Sequence, residues 1–185
     1  MWEDIRILQE MVKDTARVFI EENPYGKRQV TLGESRDPKD RRVTIAGLPD
    51  RAIVIEADKF PSPDAVFHCS KGECKRADFV IVADTGEKQV ILCIEMKATK
   101  APEKEIVQQL RGALCFIGYC QGIGRSFWQS PNFLENYQYR FVSIGHIGGS
   151  KKRLRISKQK GAHDTPESML KIHRPGQRLE FKHLM

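Results

Sequence analysis

Three charged residues sit at the ends of an otherwise apolar pair of segments, and their types suit chemistry on a phosphate. Asp78 opens one β-branched run, and Glu95 and Lys97 close the next. Carboxylate oxygens are preferred ligands of a hard cation such as Mg²⁺, which completes its shell with waters and substrate phosphates. A lysine beside them could hold a phosphate or an attacking water. The residue types therefore indicate metal-assisted attack on a phosphate ester.

The register of the hairpin decides whether these side chains meet. Glu95 and Lys97 are two apart on one strand, so they share a face and lie about 7 Å apart. If Thr85 to Lys88 form a four-residue loop, Asp78 falls opposite Glu95, with Cβ atoms roughly 5 Å apart. A three-residue loop would turn Asp78 to the other face. We predict the four-residue loop, in which two close carboxylates require a cation or a shared proton.

The residues Ala77-Asp78 and Glu95-Met96-Lys97 together resemble the motif of the PD-(D/E)XK nuclease superfamily. Ala77 stands where the family's name has proline, a departure that many relatives share. The resemblance implies hydrolysis of phosphodiester bonds with Mg²⁺ or Mn²⁺. It also implies that Asp78, Glu95 and the backbone carbonyl of Met96 hold the metal, while Lys97 orients water or neutralises the phosphate. A charged rim on a structural hairpin is the alternative interpretation.

Other site residues are implied by the same resemblance. In many relatives the helix after Glu-x-Lys directs a glutamine at the site. Gln109 or Gln108 could have this role here. We retain Gln109 as a candidate catalytic residue. The Gln-x3-Tyr pattern of the RecB-like branch is not matched. In such folds the first helix often supplies a further acidic group, for which Glu10, Glu21 and Glu22 are candidates. Glu56, at the end of the strand predicted over 52–57, is a further candidate metal ligand.

Basic residues are concentrated towards the C-terminus. The whole chain has a net charge of +7, and residues 139–185 alone hold 11 Lys and Arg against three Asp and Glu. Because Lys and Arg dominate non-specific affinity for nucleic-acid phosphates, the basic end indicates a nucleic-acid partner. The resemblance to nucleases favours DNA over RNA as that partner. A solvated basic surface is the alternative. The candidate contacts to the nucleic-acid backbone are Lys75, Arg76, Lys100, Lys151, Lys152, Arg153 and Arg155.

The elements that position these residues follow from hydrophobic periodicity. An apolar helical stripe predicts a first helix over residues 2–20, and a second helix is expected from about residue 101 to Cys120. A glycine pair, Gly122 and Gly124, is typical of a helix exit. The predicted strands besides the hairpin are 43–46, 52–57 lying against the Asp78 strand, 139–146 in parallel, a basic edge strand within 151–160, and 178–182.

This order matches the αβββαβ core of restriction-endonuclease-like folds. We therefore predict an α/β fold with a mixed central sheet flanked by helices, plus a C-terminal basic strand and tail. Residues 1–150 are assigned to the nuclease-like domain. Residues 151–185 are assigned to a basic extension packed on the same domain.

The composition is typical of a globular protein, with 40% hydrophobic and 30% charged residues in 185. No run approaches the ~20 apolar residues of a membrane span. The N-terminus lacks the features of a signal peptide, so we expect a cytoplasmic protein.

Five cysteines, an odd number, predict free thiols in a reducing compartment. Cys69 and Cys74, near His68, resemble half of a zinc site, but no second ligand pair stands at suitable spacing. Cys93 is expected to pack beneath the site. Cys115 and Cys120 are expected in the core.

The function favoured by these features is that of a metal-dependent DNA endonuclease, acting in prokaryotic defence or DNA processing. The alternative is an inactive nuclease-fold protein that binds nucleic acid or a partner, which the complete motif disfavours. A second alternative is a nucleotide-sensing defence component, and the lack of a glycine-rich phosphate loop in the sequence argues against it. With no helix-turn-helix in view, base specificity must come from loops or a partner protein, and a homodimer would let two sites cut opposite strands.

Overall fold

Two mixed β-sheets form most of the regular structure in the computed structural model, which describes residues 3–33, 42–99, 101–145, 155–156, 161–173 and 178–185. The helices are α1 (Glu3–Met11) and α2 (Glu103–Phe127). The strands are β1 (Glu21–Glu22), β2 (Arg28–Leu32), β3 (Val43–Ala46), β4 (Arg51–Glu56), β5 (Phe79–Asp84), β6 (Gln89–Lys97), β7 (Gln138–Gly145), β8 (Arg155–Ile156), β9 (Leu170–His173) and β10 (Arg178–Glu180).

The larger sheet has six strands in the order β4-β5-β6-β7-β9-β8. The first three strands are antiparallel, whereas β6, β7 and β9 run parallel. Every residue of β5 is buried, as expected for a β-branched run covered on both faces. The smaller sheet has the order β1-β2-β3-β10, with β10 parallel to β3.

The larger sheet is covered differently on its two faces. On one face, α1 and α2 pack against alternate strand residues such as Val80 and Cys93. On the other face, the smaller sheet packs against the intervening residues, such as Ile81 and Leu92. The expectation of a sheet flanked by helices is thus wrong for one flank, because β2 and β3 place their alternating apolar residues there.

Several predicted elements are confirmed. β3 lies at 43–46, β4 pairs with β5, and β7 joins β6 in parallel after a helix. β8 is a short strand at the edge of the larger sheet. β10 is found at the predicted place in the chain, but it belongs to the smaller sheet. Both sheets therefore include strands from the last 25 residues.

The C-terminal ends of both helices differ from the prediction. α1 ends at Met11 because the chain then runs beside β4, where the Val18 amide donates to the Val54 carbonyl at 2.9 Å. α2 continues through the two glycines instead of ending there. Gly124 is buried inside the helix, where the Phe133 ring occupies the space of a side chain.

The cysteine prediction needs correction. Cys69 and Cys74 form a disulfide, since a tight loop brings their Cα atoms to 5.1 Å, a separation that a disulfide can bridge. They are therefore neither free thiols nor half of a zinc site. Cys93 and Cys120 are buried as expected, but Cys115 is exposed on α2. Among the helices that the structure describes, none has the length and apolarity needed to cross a bilayer.

Close packing of α2 fixes the segment that leads into Asp78. A Cβ atom at Gly112 would lie 2.9 Å from the carbonyl carbon of Lys75 and closer still to its oxygen. Gly118, six residues further along the same helix, has open space around it. The absence of a side chain at Gly112 thus lets the helix backbone touch residues 75 and 76.

We predict that Gly112→Ala destabilises the fold by about 1–3 kcal/mol, because the methyl group displaces the Lys75 backbone. Gly118→Ala is the matched control and should stabilise the helix by up to ~1 kcal/mol. Urea unfolding of both variants measures the difference. Equal stabilities would show that α2 does not need this close approach.

Candidate active site

The hairpin of β5 and β6 has the register that the sequence predicts. Asp84 pairs with Gln89 and Phe79 with Ile94, so the turn contains four residues. The turn is closed by the amide of Thr85, which donates to the Lys88 carbonyl at 2.9 Å. Continued by one residue, this register sets Asp78 across from Glu95.

Asp78 and Glu95 lie on the face of the sheet that the helices cover. Side chains two residues apart on a strand share a face, so Asp78 lies on the same face as Val80 and Val82. Glu95 likewise lies on the same face as Cys93. These three apolar residues belong to the core beneath the helices. The Oδ2 atom of Asp78 accepts a hydrogen bond from the Met96 amide at 2.6 Å. The two acids therefore meet at one end of the hairpin, as predicted.

Glu95 is a buried acid in an unfavourable environment. Its residue is 0% exposed. The Lys97 ammonium lies 2.8 Å from Oε1 as an ion pair. Burial, followed by the charge of Asp78, raises the pKa of Glu95 to about 8. This carboxyl group takes up either a proton or a cation.

Lys97 connects the acids to the start of α2. Its Nζ atom is 3.8 Å from Oε1 of Glu105, which is also 3.9 Å from Nζ of Lys75. Burial acts to lower the pKa of Lys97, but the attraction of Glu95 and the other acids outweighs it and raises that pKa. Lys97 therefore stays charged. Glu105 is not among the predicted site residues, although its position in the first turn of the next helix was a usable signal.

The two glutamines of α2 have different surroundings. Gln108 donates from Nε2 to the Lys71 carbonyl at 2.9 Å, and so binds the disulfide loop. Gln109 lies one turn beyond Glu105, on the same side of the helix. Its Oε1 atom is buried without a hydrogen-bond partner. The surroundings favour Gln109 over Gln108 as the residue with a free polar group near the site.

The predicted fourth acid is not found among its four candidates. Glu10 accepts a hydrogen bond from Trp128 Nε1 at 2.9 Å. Glu21 and Glu22 form β1 in the smaller sheet, where both are exposed.

Glu56 is also misplaced for this role. It pairs with Phe79 across the strands, and paired residues share a face. Phe79 belongs to the core beneath the smaller sheet, so Glu56 lies on the face opposite Asp78. Its carboxylate forms an ion pair with Lys59.

The predicted nucleic-acid contacts have mixed surroundings. Lys75 lies beside Glu105, as described. Arg76 donates to the carbonyls of Lys75 and Pro61, and its guanidinium lies 5.1 Å from the centre of the Phe60 ring. Arg155 begins the edge strand β8. Lys100, Lys151, Lys152 and Arg153 lie outside the described residues.

The donor set suits a cation that needs few protein ligands. In the described part of the chain, no group of three or more His, Cys, Asp or Glu side chains could hold a metal. Mg²⁺ is commonly held by one or two carboxylates together with waters and substrate phosphates. The carboxylates of Asp78 and Glu95 fit that pattern.

The chain matches no protein-family model, no curated protein and no solved structure. Its function must therefore be inferred from the geometry and charge of this site.

We predict that Glu95→Gln abolishes a pH dependence of stability. The folded state of the wild type holds the Glu95 proton up to about pH 8, whereas the unfolded chain releases it near its ordinary pKa of 4.5. In metal-free buffer, wild-type stability should therefore fall as pH rises between these values. The free energy of unfolding of the variant, minus that of the wild type, should therefore be larger at about pH 8.5 than near pH 5, by ~1 kcal/mol or more.

Urea unfolding in EDTA at the two pH values measures this effect, and Mg²⁺ is then added at the higher pH. Mg²⁺ should restore stability to the wild type but not to the variant. If the stabilities of both proteins change equally with pH and with Mg²⁺, Glu95 is not the buried group that causes the pH dependence.

Proposed function

We propose that the protein is a Mg²⁺- or Mn²⁺-dependent nuclease that hydrolyses phosphodiester bonds in DNA. The observation that carries this proposal is the fully buried carboxylate of Glu95, which lies across from Asp78 and has the Lys97 ammonium 2.8 Å from its Oε1 atom. A merely structural hairpin gains nothing from such a group, because burying a charge without full compensation is costly. The cost is understandable if the site binds a cation during function.

Each residue has a role that follows from its chemistry. Asp78, Glu95 and the backbone carbonyl of Met96 would hold the metal. When bound, a divalent ion supplies Lewis acidity towards a phosphate and lowers the pKa of a bound water. Lys97 orients the attacking water or neutralises charge that develops on the phosphate. Gln109 offers an unpaired amide oxygen for a water.

Glu105 is a positioning residue in this proposal. Its carboxylate lies between the ammonium groups of Lys75 and Lys97, within 3.9 Å of each. It can hold Lys97 away from a full ion pair with Glu95 when a cation occupies the acids. Lys75 then remains at the site as a contact for the substrate backbone, which it would bind without reading sequence.

The test is an incubation with labelled linear, circular, branched and single-stranded DNA and with RNA, in Mg²⁺, Mn²⁺ or EDTA. Asp78→Asn and Lys97→Ala should each lower the cleavage rate at least ~10²-fold, because each removes a group that stabilises the reacting phosphate. Glu56→Gln is the matched control, at the same end of the sheet but on its other face, and should cleave normally.

Cleavage that persists in both site variants would indicate a contaminating nuclease. Binding without cleavage under every metal would overturn the hydrolase and favour a nuclease-like protein that binds nucleic acid without cutting it.

A further inference from the structure

A row of polar residues crosses the larger sheet at the level of Glu95. In the parallel ladder of β6, β7 and β9, Glu95 is in register with Ser143, and Ser143 with Lys171. Asp78 continues the row on the other side of Glu95, as the hairpin register requires. We call Asp78, Glu95, Ser143 and Lys171 the polar row. Three of its members are charged, and Ser143 is the uncharged one.

Ser143 lies on the face of the sheet that the helices cover. Its neighbours along β7, Val142 and Ile144, pack beneath the smaller sheet. Phe141, two residues before Ser143, belongs to the core beneath the helices. Because side chains alternate between the faces along a strand, the Ser143 side chain lies on the same side as that of Glu95.

Few polar residues are buried in the part of the chain that the structure describes, and Ser143 is one of them, with 6% exposure. Two of the others have local partners. Asn23 accepts two backbone hydrogen bonds within its own loop, and Asp84 forms an ion pair with Arg51. The remaining two, Glu95 and Ser143, are neighbours across β6 and β7. Since burying a hydroxyl group is costly unless it forms a hydrogen bond, this neighbourhood suggests a role for the hydroxyl.

The two neighbours of Glu95 in the row approach its carboxylate from opposite sides. Asp78 lies on β5's side and Ser143 on β7's side. Neighbouring strands are about 4.8 Å apart, so rotation about the Cα–Cβ bond can bring the Ser143 hydroxyl to the Glu95 carboxylate. Lys171, the next residue in the row, has its own acid, because its Nζ atom lies 2.7 Å from Oε2 of Glu103. Ser143 is therefore the member of the row that can donate to Glu95 from the β7 side.

We propose that Ser143 is a positioning residue, whose hydroxyl donates a hydrogen bond to the Glu95 carboxylate when Asp78 and Glu95 hold a divalent cation. This inference rests on the proposed function, because it concerns the same metal site. A hydrogen bond to a ligating carboxylate orients it and strengthens metal binding. With Glu95 supported from β7, the Lys97 ammonium is available to a water or to the substrate phosphate. Ser143 itself does not contact the substrate.

Ser143→Thr and Ser143→Val test the hydroxyl at constant size, because threonine and valine have the same shape. The affinity of the full chain for Mn²⁺ is measured from the electron paramagnetic resonance signal of the free ion. Ser143→Thr keeps the donor and should bind Mn²⁺ within about threefold of the wild type. Ser143→Val should bind Mn²⁺ about tenfold more weakly than Ser143→Thr, as expected for the loss of a group that supports a metal ligand. Equal affinities of these two variants would overturn the proposal.

Ser143→Ala makes the same test without added volume, in case a β-branched side chain disturbs the packing of the buried row. Circular dichroism verifies that each variant is folded. Ser143→Ala should weaken Mn²⁺ binding about tenfold. Ser126→Ala, at an exposed serine near the end of α2, is the control and should bind as the wild type does. Wild-type affinity in Ser143→Ala, or an equal loss in Ser126→Ala, would overturn the proposal.

These outcomes separate the role of Ser143 from the proposed nuclease activity. Mn²⁺ binding that does not depend on the hydroxyl overturns the role of Ser143 alone, since the cleavage assay decides the activity. Mn²⁺ binding that depends on the hydroxyl, without cleavage of any nucleic acid, supports the role of Ser143 and overturns the nuclease. A wild type that does not bind Mn²⁺ overturns both.

Discussion

The enforced proximity of two carboxyl groups at the end of an apolar hairpin is the constraint on which the site depends. Glu95 is fully buried beside Asp78, and burial is the main cause of its raised pKa. One nearby ammonium group, Lys97, offsets only part of the cost. A buried charge with incomplete compensation lowers stability, so the arrangement is understandable as a site prepared for a cation.

The remaining structure holds this unfavourable group in place. The four-residue turn fixes the hairpin register, and a shift of one residue would separate the acids. α2 packs its backbone against residues 75 and 76 at Gly112, which fixes the entry to Asp78. Its first turn sends Glu105 towards Lys97 and Glu103 towards Lys171. The helix thus supplies charges that set the positions of two lysines at the sheet edge.

Local patterns in the sequence predicted the central part of this site. The apolar runs, the glycine turn and the two-residue spacing of Glu95 and Lys97 determine register and face, because strand periodicity is a local property. The parallel return of β7 also followed from the intervening helix. These features need no knowledge of distant segments.

Features that depend on distant contacts were not predicted. The smaller sheet forms from short strands separated by polar segments, and β10 joins it from the far end of the chain. β9, which brings Lys171 to the polar row, is four residues long and has no distinctive pattern. The end of α1 and the persistence of α2 through Gly124 reflect tertiary pairing with β4 and Phe133. The local secondary-structure propensity of a segment does not predict such contacts.

The most direct measurement is the titration of the Glu95 carboxyl group by carbon-13 NMR, with the resonance assigned through Glu95→Gln. Without divalent metal, we expect a pKa of about 8 for this group. With saturating Mg²⁺, the pKa should fall by several units, because the cation stabilises the carboxylate. A pKa near 4.5 without metal, or one that Mg²⁺ leaves unchanged, would contradict the account.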